Sequence, residues 1–143
     1  MYSVIIRVKN EETHVGQAIQ SCIDFLKDPE IIIVNDSSTD KSLYICRLFI
    51  ANNNLEKKSN SNYCKLKIID IESYTPGKAL NLGAKHCSNE DIIILSSHCS
   101  IIKFDDFLIQ KNLDEFGVLF GNQTPYYYGK RIQKRYIWNN FKG

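Results

Sequence analysis

Val4-Ile-Ile-Arg-Val-Lys-Asn-Glu-Glu12 and Ile31-Ile-Ile-Val-Asn-Asp-Ser-Ser-Thr-Asp40 decide the fold of this chain. Each is a short apolar run that stops abruptly in polar residues able to cap a helix. Strands buried on both faces of a parallel sheet read this way, and they carry ligand-binding groups to its carboxyl edge. Between the two runs, Val15, Ala18, Ile19, Cys22, Ile23 and Leu26 recur at helical spacing. Asn10 is placed to cap that helix, Glu11 and Glu12 suit the positive end of its dipole, and Pro29 closes it.

The pattern then repeats. The first strand is expected over residues 2–8 and the second over 30–34. A helix should begin at 36–40, with Leu43, Ile45, Leu48, Phe49 and Ile50 as its apolar positions. Residues 52–62 are polar and low in complexity, the signature of a solvated loop. A third strand follows over 66–71, a short helix over 78–87 after the turn signal Pro76-Gly77, and a fourth strand over 91–95. Residues 104–116 read as a helix and 117–120 as a fifth strand. Strands alternating with helices imply an α/β fold, a mostly parallel sheet with helices on both faces.

Composition narrows the function. The 143 residues, 43% hydrophobic and 24% charged, suit one globular domain with a core. A net charge of +2 is too weak to argue for a nucleic-acid partner. No apolar run approaches the roughly 20 residues of a membrane helix, and the charged start lacks a secretory core. Cys22, Cys46, Cys64, Cys87 and Cys99 form no C-x-x-C pair and read as free thiols of a reducing cytosol.

In such a sheet the carboxyl ends of the strands present four loops: Lys9-Asn10, Asn35-Asp36, 73–78 and 96–99. The first lacks the G-x-G-x-x-G of a dinucleotide fold, and no P-loop is present, so a nucleotide-dependent oxidoreductase is disfavoured. Asp36 has two readings: a helix cap, or an acceptor for a base N–H. Asp40 is the better structural candidate.

Three segments together resemble the donor half of family 2 glycosyltransferases, which have the GT-A, Rossmann-like architecture. The turn at Asn10-Glu-Glu12 is similar to the family's first turn. Val34-Asn-Asp-Ser-Ser-Thr-Asp40 is similar to D-D-x-S-x-D with Asn in place of the first Asp. Gly77-Lys-Ala-Leu-Asn-Leu-Gly83 is similar to G-[KR]-A-x-N-x-G. The resemblance makes Asp36 the contact to the nucleotide base and Lys78 a donor contact, with Asn81 packing its loop. Arg7, Lys9, Asn10 and Glu12 lie in the first donor loop, where the Lys9 ammonium can reach a phosphate.

At the end of the fourth strand the family usually carries D-x-D, which binds ribose and a manganese or magnesium ion. Here Ser96-Ser97-His98 stands in that place, similar to a Ser-x-His branch of the family. Ser96 can bond a ribose hydroxyl, and His98 is the candidate metal ligand or phosphate donor. Gly121-Asn-Gln-Thr-Pro125 resembles that branch's G-[RN]-Q-x-P loop and places Gln123 on the sugar or acceptor side.

The resemblance covers 1–143 as one domain: 1–121 a nucleotide-sugar-binding core, 122–143 the start of an acceptor-side region. It implies an inverting transferase that moves a sugar from a nucleotide-sugar donor to a hydroxyl of a glycan or lipid-linked acceptor, in surface polysaccharide assembly. The expected location is cytoplasmic, with peripheral association at the inner membrane face an option offered by the basic, aromatic tail. No residue is assigned as catalytic base, since the family's lies further along than this chain extends. The alternative is a truncated or non-catalytic nucleotide-sugar-binding module.

Overall fold

The computed structural model describes residues 1–56, 64–127 and 130–131. The chain forms two compact units, Met1–Phe104 and Asp105–Gly143. In the first, four parallel strands β1 (Tyr2–Val8), β2 (Glu30–Asn35), β3 (Lys65–Asp70) and β4 (Asp91–Ser96) lie in the order β3-β2-β1-β4. Helices α1 (Val15–Phe25) and α2 (Ser42–Glu56) connect the strands on one side of β1, and α3 (Pro76–Lys85) carries the chain back to β4. Strand order therefore reverses between β1 and β4, and a doubly wound sheet opens its crevice there.

Alternation sorts the side chains. Val4, Ile6 and Val8 of β1, with Ile31 and Ile33 of β2, pack against Val15, Ala18, Ile19, Cys22 and Cys46 of α1 and α2. Ile5, Ile32 and Val34 face the other way, onto Ala79 and Leu80 of α3. All of β2 is buried, which accounts for its unbroken apolar sequence. Cys22, Cys46, Cys64, Cys87 and Cys99 are free thiols, and burial pushes Cys22 up to about 12 and Cys46 to about 11.

Gly83 lets α3 approach the sheet. A Cβ there would meet Cγ2 of Ile5 at 2.7 Å and its Cδ1 at 3.1 Å. Gly83→Ala is accordingly expected to cost about 1–3 kcal/mol by overpacking, read as a lower urea midpoint at unchanged slope.

Several expectations are corrected. Asn10 does not cap α1. It sits at φ 54°, α1 starts at Val15, and the Glu11 carbonyl accepts from the amides of His14 and Val15. Glu11 and Glu12 therefore precede the first helical turn. The second helix begins at Ser42 instead of within 36–40, because side chains of Asn35 and Asp40 satisfy the amides of that loop. The expected loop at 52–62 starts late, since α2 runs to Glu56; extending a formed helix costs little even through Asn. Its remainder, 57–62, lies outside the described residues. Pro76 opens α3, with Thr75 accepting from the Lys78 amide as its cap.

The second unit holds α4 (Asp106–Phe116), capped by the Asp105 carboxylate at the Leu108 amide and ended by Gly117 at φ 70°. The fifth strand expected over 117–120 does not form. The left-handed cap turns the chain out of α4, and the apolar run after it has no ladder partner among the described residues. Val118 and Phe120 are exposed instead. Two-residue strands β5 (Tyr126–Tyr127) and β6 (Lys130–Arg131) pair antiparallel. The rest of the basic, aromatic tail lies outside the described residues.

Candidate functional site

At the carboxyl edge of the first unit lies a cleft of about 190 Å³, lined by Arg7, Val8, Lys9, Glu11, Asp36, Tyr74, Ser96, Ser97 and His98. It spans the ends of β1, β2 and β4 and includes the point where strand order reverses. Six residues expected from sequence meet there: Arg7, Lys9, Asp36, Ser96, Ser97 and His98.

Hydrogen bonds extend the sheet into the loops that build the cleft. The Asp36 amide donates to the Val8 carbonyl at 2.9 Å and the Ile71 amide to the Asn35 carbonyl at 3.0 Å. Buried Asn35 donates its side-chain amide to Asp70 at 2.6 Å and accepts from the Ser38 amide at 3.1 Å. It thus performs the turn-capping that is one sequence reading of Asp36, and Asp36 faces the cleft. Ser37 is held at φ 51°, and Asn10 is left-handed in the facing loop. Backbone in this region costs energy, and surrounding contacts must over-determine it.

Those contacts come from the two loops binding each other. Asn10 Oδ1 accepts from the Thr39 amide at 2.8 Å. Asp40 accepts from the Glu12 and Ser42 amides, both at 2.9 Å, and these bonds hold its carboxyl below the usual range against the opposing effect of desolvation. Glu12 Oε2 accepts from the Lys41 amide at 2.9 Å, and Ser42 Oγ from the Glu11 amide at 2.7 Å. Asn10 and Glu12 are thus scaffold for the cleft and not part of its lining.

Inside the cleft, Lys9 Nζ stands 2.8 Å from Asp36 Oδ2; the lysine side chain is 62% exposed and the aspartate 13%. A carboxylate has lone pairs on both oxygens, so Asp36 keeps accepting capacity beyond this pair. Arg7 donates from Nη1 to the Tyr74 hydroxyl at 3.1 Å. Beyond β4, the Cys99 amide closes a turn onto the Ser96 carbonyl at 2.9 Å, which sets out His98 at the rim. His98 Nδ1 lies 3.8 Å from Glu11 Oε1, and His14 Nδ1 lies 3.4 Å from Glu11 Oε2.

Three expected residues fall elsewhere. Lys78 and Asn81 are exposed on α3 and do not line the cleft; Lys78 Nζ donates to Ser73 Oγ at 2.9 Å. Gln123 lies in the second unit, exposed. Two lining residues escaped the sequence reading as ligand groups. Tyr74 sits in the loop after β3 that the carboxyl-edge rule named, and its aromatic ring was the available signal. Glu11 enters the sequence pattern through the helix dipole and the Asn10-Glu-Glu12 turn, neither of which marks its side chain as a ligand group.

The cleft does not fit a divalent ion held by the chain alone. Among the described residues no three of His, Cys, Asp and Glu are grouped so as to hold a metal ion. Of the two carboxylates lining the cleft, Asp36 already pairs with Lys9 through Oδ2, and Glu11 lies between two imidazoles. Hard divalent ions ask for about six oxygens, of which carboxylates supply the charged ones.

A doubly wound sheet with a charged cleft at its reversal point defines the α/β class in which that crevice is the usual ligand site. Comparison with known proteins narrows the class. The model of "Glycosyl transferase family 2" matches residues 3–141, and the chain belongs to that family. Members of the family commonly use a divalent ion. Over 117 residues the chain is 27% identical to the poly(ribitol-phosphate) beta-N-acetylglucosaminyltransferase TarS of Staphylococcus aureus, covering 80% of this chain and 18% of TarS. It is 31% identical over 98 residues to the minor teichoic acid biosynthesis protein GgaA of Bacillus subtilis, covering 66% of this chain and 20% of GgaA. The chain thus spans a small part of these relatives' length. The crystal structure of residues 1–349 of S. aureus TarS in complex with UDP superposes with a TM-score of 0.63 at 23% identity, over 81% of this chain and 32% of that one, and shows the same fold.

Proposed function

We propose that this chain is the donor-binding part of a glycosyltransferase that moves a sugar from a nucleotide-sugar to a hydroxyl of a glycan or lipid-linked acceptor, with inversion, in surface glycan assembly. The observation that carries the reading is the convergence of Arg7, Lys9, Asp36, Ser96 and His98 on one cleft at the sheet's reversal point. Asp36 accepts from the base, Arg7 and Lys9 face the diphosphate, Ser96 and Ser97 the ribose, and His98 the phosphates at the rim. Lys78, Asn81 and Gln123 belong to the same proposal as outer contacts to donor or acceptor. In the transfer the acceptor oxygen bonds to the anomeric carbon while the bond to the diphosphate breaks. The electron pair leaves on the nucleotide, so cations near the diphosphate stabilise the transition state. The base that takes the acceptor proton is assigned to no residue of this chain.

We keep residues 1–143 as one transferase-type domain, with 1–121 its nucleotide-sugar core and 122–143 the beginning of the acceptor side. No helix among the described residues is long and apolar enough to cross a membrane. A cytoplasmic site of action, with contact to the inner membrane face, suits a lipid-linked acceptor.

Calorimetric titration with UDP, GDP, dTDP and CMP tests the reading. Saturable binding of one nucleotide is the expected result. No binding by a folded chain would contradict it. Release of that nucleotide from its sugar conjugate, accelerated by an added acceptor, separates a transferase from a binding module.

A further inference from the structure

This inference rests on the donor-binding reading and concerns how the cleft meets the charge of a diphosphate. Arg7 is the second-last residue of β1, an interior strand, and is aligned with Val34 on one side and Ser96 on the other. A D-x-D motif in β4 would set a carboxylate at Ser96, directly beside this guanidinium, and another at His98. A hydroxyl at Ser96 leaves the guanidinium charge intact.

The partners of Arg7 point the same way. Its guanidinium donates to the neutral phenol of Tyr74, and it forms no ion pair among the described residues. The other cation of the cleft is already matched, Lys9 by Asp36, and Glu11 stands nearest the imidazoles of His14 and His98. Arg7 thus brings a permanent positive charge, paired with no carboxylate among the described residues, to the strand position beside which the family's motif would hold an ion. Its planar fork suits two phosphate oxygens at once, whereas an ammonium acts as a point charge. Tyr74 accepts from one nitrogen of the fork from the β3–α3 loop, which reduces the side-chain freedom to be lost on binding.

We propose that this cleft neutralises the donor diphosphate through Arg7, oriented by Tyr74, in place of a divalent ion held by carboxylates. The exchange is internally consistent: carboxylates are needed to hold an ion, and are counterproductive beside a built-in cation. Nucleoside diphosphate binding is then independent of added metal.

The test titrates the 143-residue chain with UDP and UMP, and with GDP and GMP, each in EDTA and in manganese chloride. The expected result is a diphosphate Kd that agrees within about threefold between the two conditions. Arg7→Gln should weaken the diphosphate by about tenfold or more, the loss of a charge-assisted hydrogen bond. It should also narrow the gap between diphosphate and monophosphate, a change that general loosening of the fold would not select. Arg7→Lys should fall between. Circular dichroism confirms that each variant is folded. Binding that vanishes in EDTA and returns with manganese would overturn this inference and leave the donor site standing. Equal weakening of mono- and diphosphate in Arg7→Gln would also overturn it. Absence of binding in both conditions would overturn the donor reading and this inference together.

Discussion

Glu30→Ala is expected to destabilise the fold by about 3 kcal/mol or more, the cost of breaking a buried, hydrogen-bonded charge network. Glu30 opens β2 at the end of the sheet away from the cleft, and it is 4% exposed. Its carboxylate accepts from Ser3 Oγ at 2.7 Å, from the Ser88 amide at 2.6 Å and from Ser88 Oγ at 2.9 Å. Lys65 and Lys67 stand at 3.3 and 3.4 Å. One residue thus ties β1, β2, β3 and the α3–β4 loop. Burial opposes its charge, and the bonds from Ser3, Ser88 and Lys65 outweigh burial, bringing the carboxyl from 4.5 down to about 2.

The sign of the pH effect follows. A depressed carboxylate contributes stability that is complete above its unfolded value of 4.5 and is lost as pH falls toward about 2. The shift corresponds to about 3 kcal/mol at neutral pH. Glu30→Gln, which keeps the shape and removes the charge, should be clearly less stable than the parent at pH 7. The gap should shrink as pH falls to 3. Urea unfolding at the two pH values measures it, and a gap that does not change with pH would contradict the account.

Asp36→Ala has the opposite profile: a large loss of binding and almost none of stability. Its partner Lys9 is mostly exposed, and surface pairs of this kind contribute about 0–1 kcal/mol. The turn after β2 is held by Asn35, Asp40 and Asn10, so removing the Asp36 side chain leaves its scaffold intact. A charged acceptor lost from a base contact costs about 1.5–3 kcal/mol, so the nucleotide found by titration should bind about tenfold to a hundredfold more weakly. Removal of Asp36 also frees Lys9, whose attraction to phosphate makes the monophosphate and diphosphate lose less than the bare nucleoside. Unchanged affinity in a folded Asp36→Ala chain would remove this residue from the site.

The fold was legible because its central strands, β1 and β2, are buried on both faces. Ile31 to Val34 and Val4 to Val8 leave few alternatives to a parallel sheet, and the four strands lie where their apolar runs place them. Two of the misreadings share a cause: local signals were settled by partners distant in sequence. Asn10 has the chemistry of a cap, but Thr39, far along the chain, claims its side chain. Residues 117–120 have strand composition, but a strand exists only where another offers a ladder. The lining of the candidate cleft was legible in part, since Arg7, Lys9, Asp36, Ser96, Ser97 and His98 follow from the carboxyl-edge rule and the family motifs. Tyr74 was not, because its role depends on the Arg7 fork beside it. Lys78 illustrates the limit of motif transfer: its position in the motif is fixed, while its ammonium here meets Ser73.

The central claim is that a nucleotide occupies the carboxyl edge of β1, β2 and β4. It is tested most directly by following backbone amide resonances of the chain as the nucleotide selected by calorimetry is added. The account predicts shifts confined to residues 7–11, 35–38, 73–75 and 96–99, with the amides around Glu30 and Ser88 at the opposite edge unmoved. Shifts centred on that opposite edge, or on α4 alone, would contradict it.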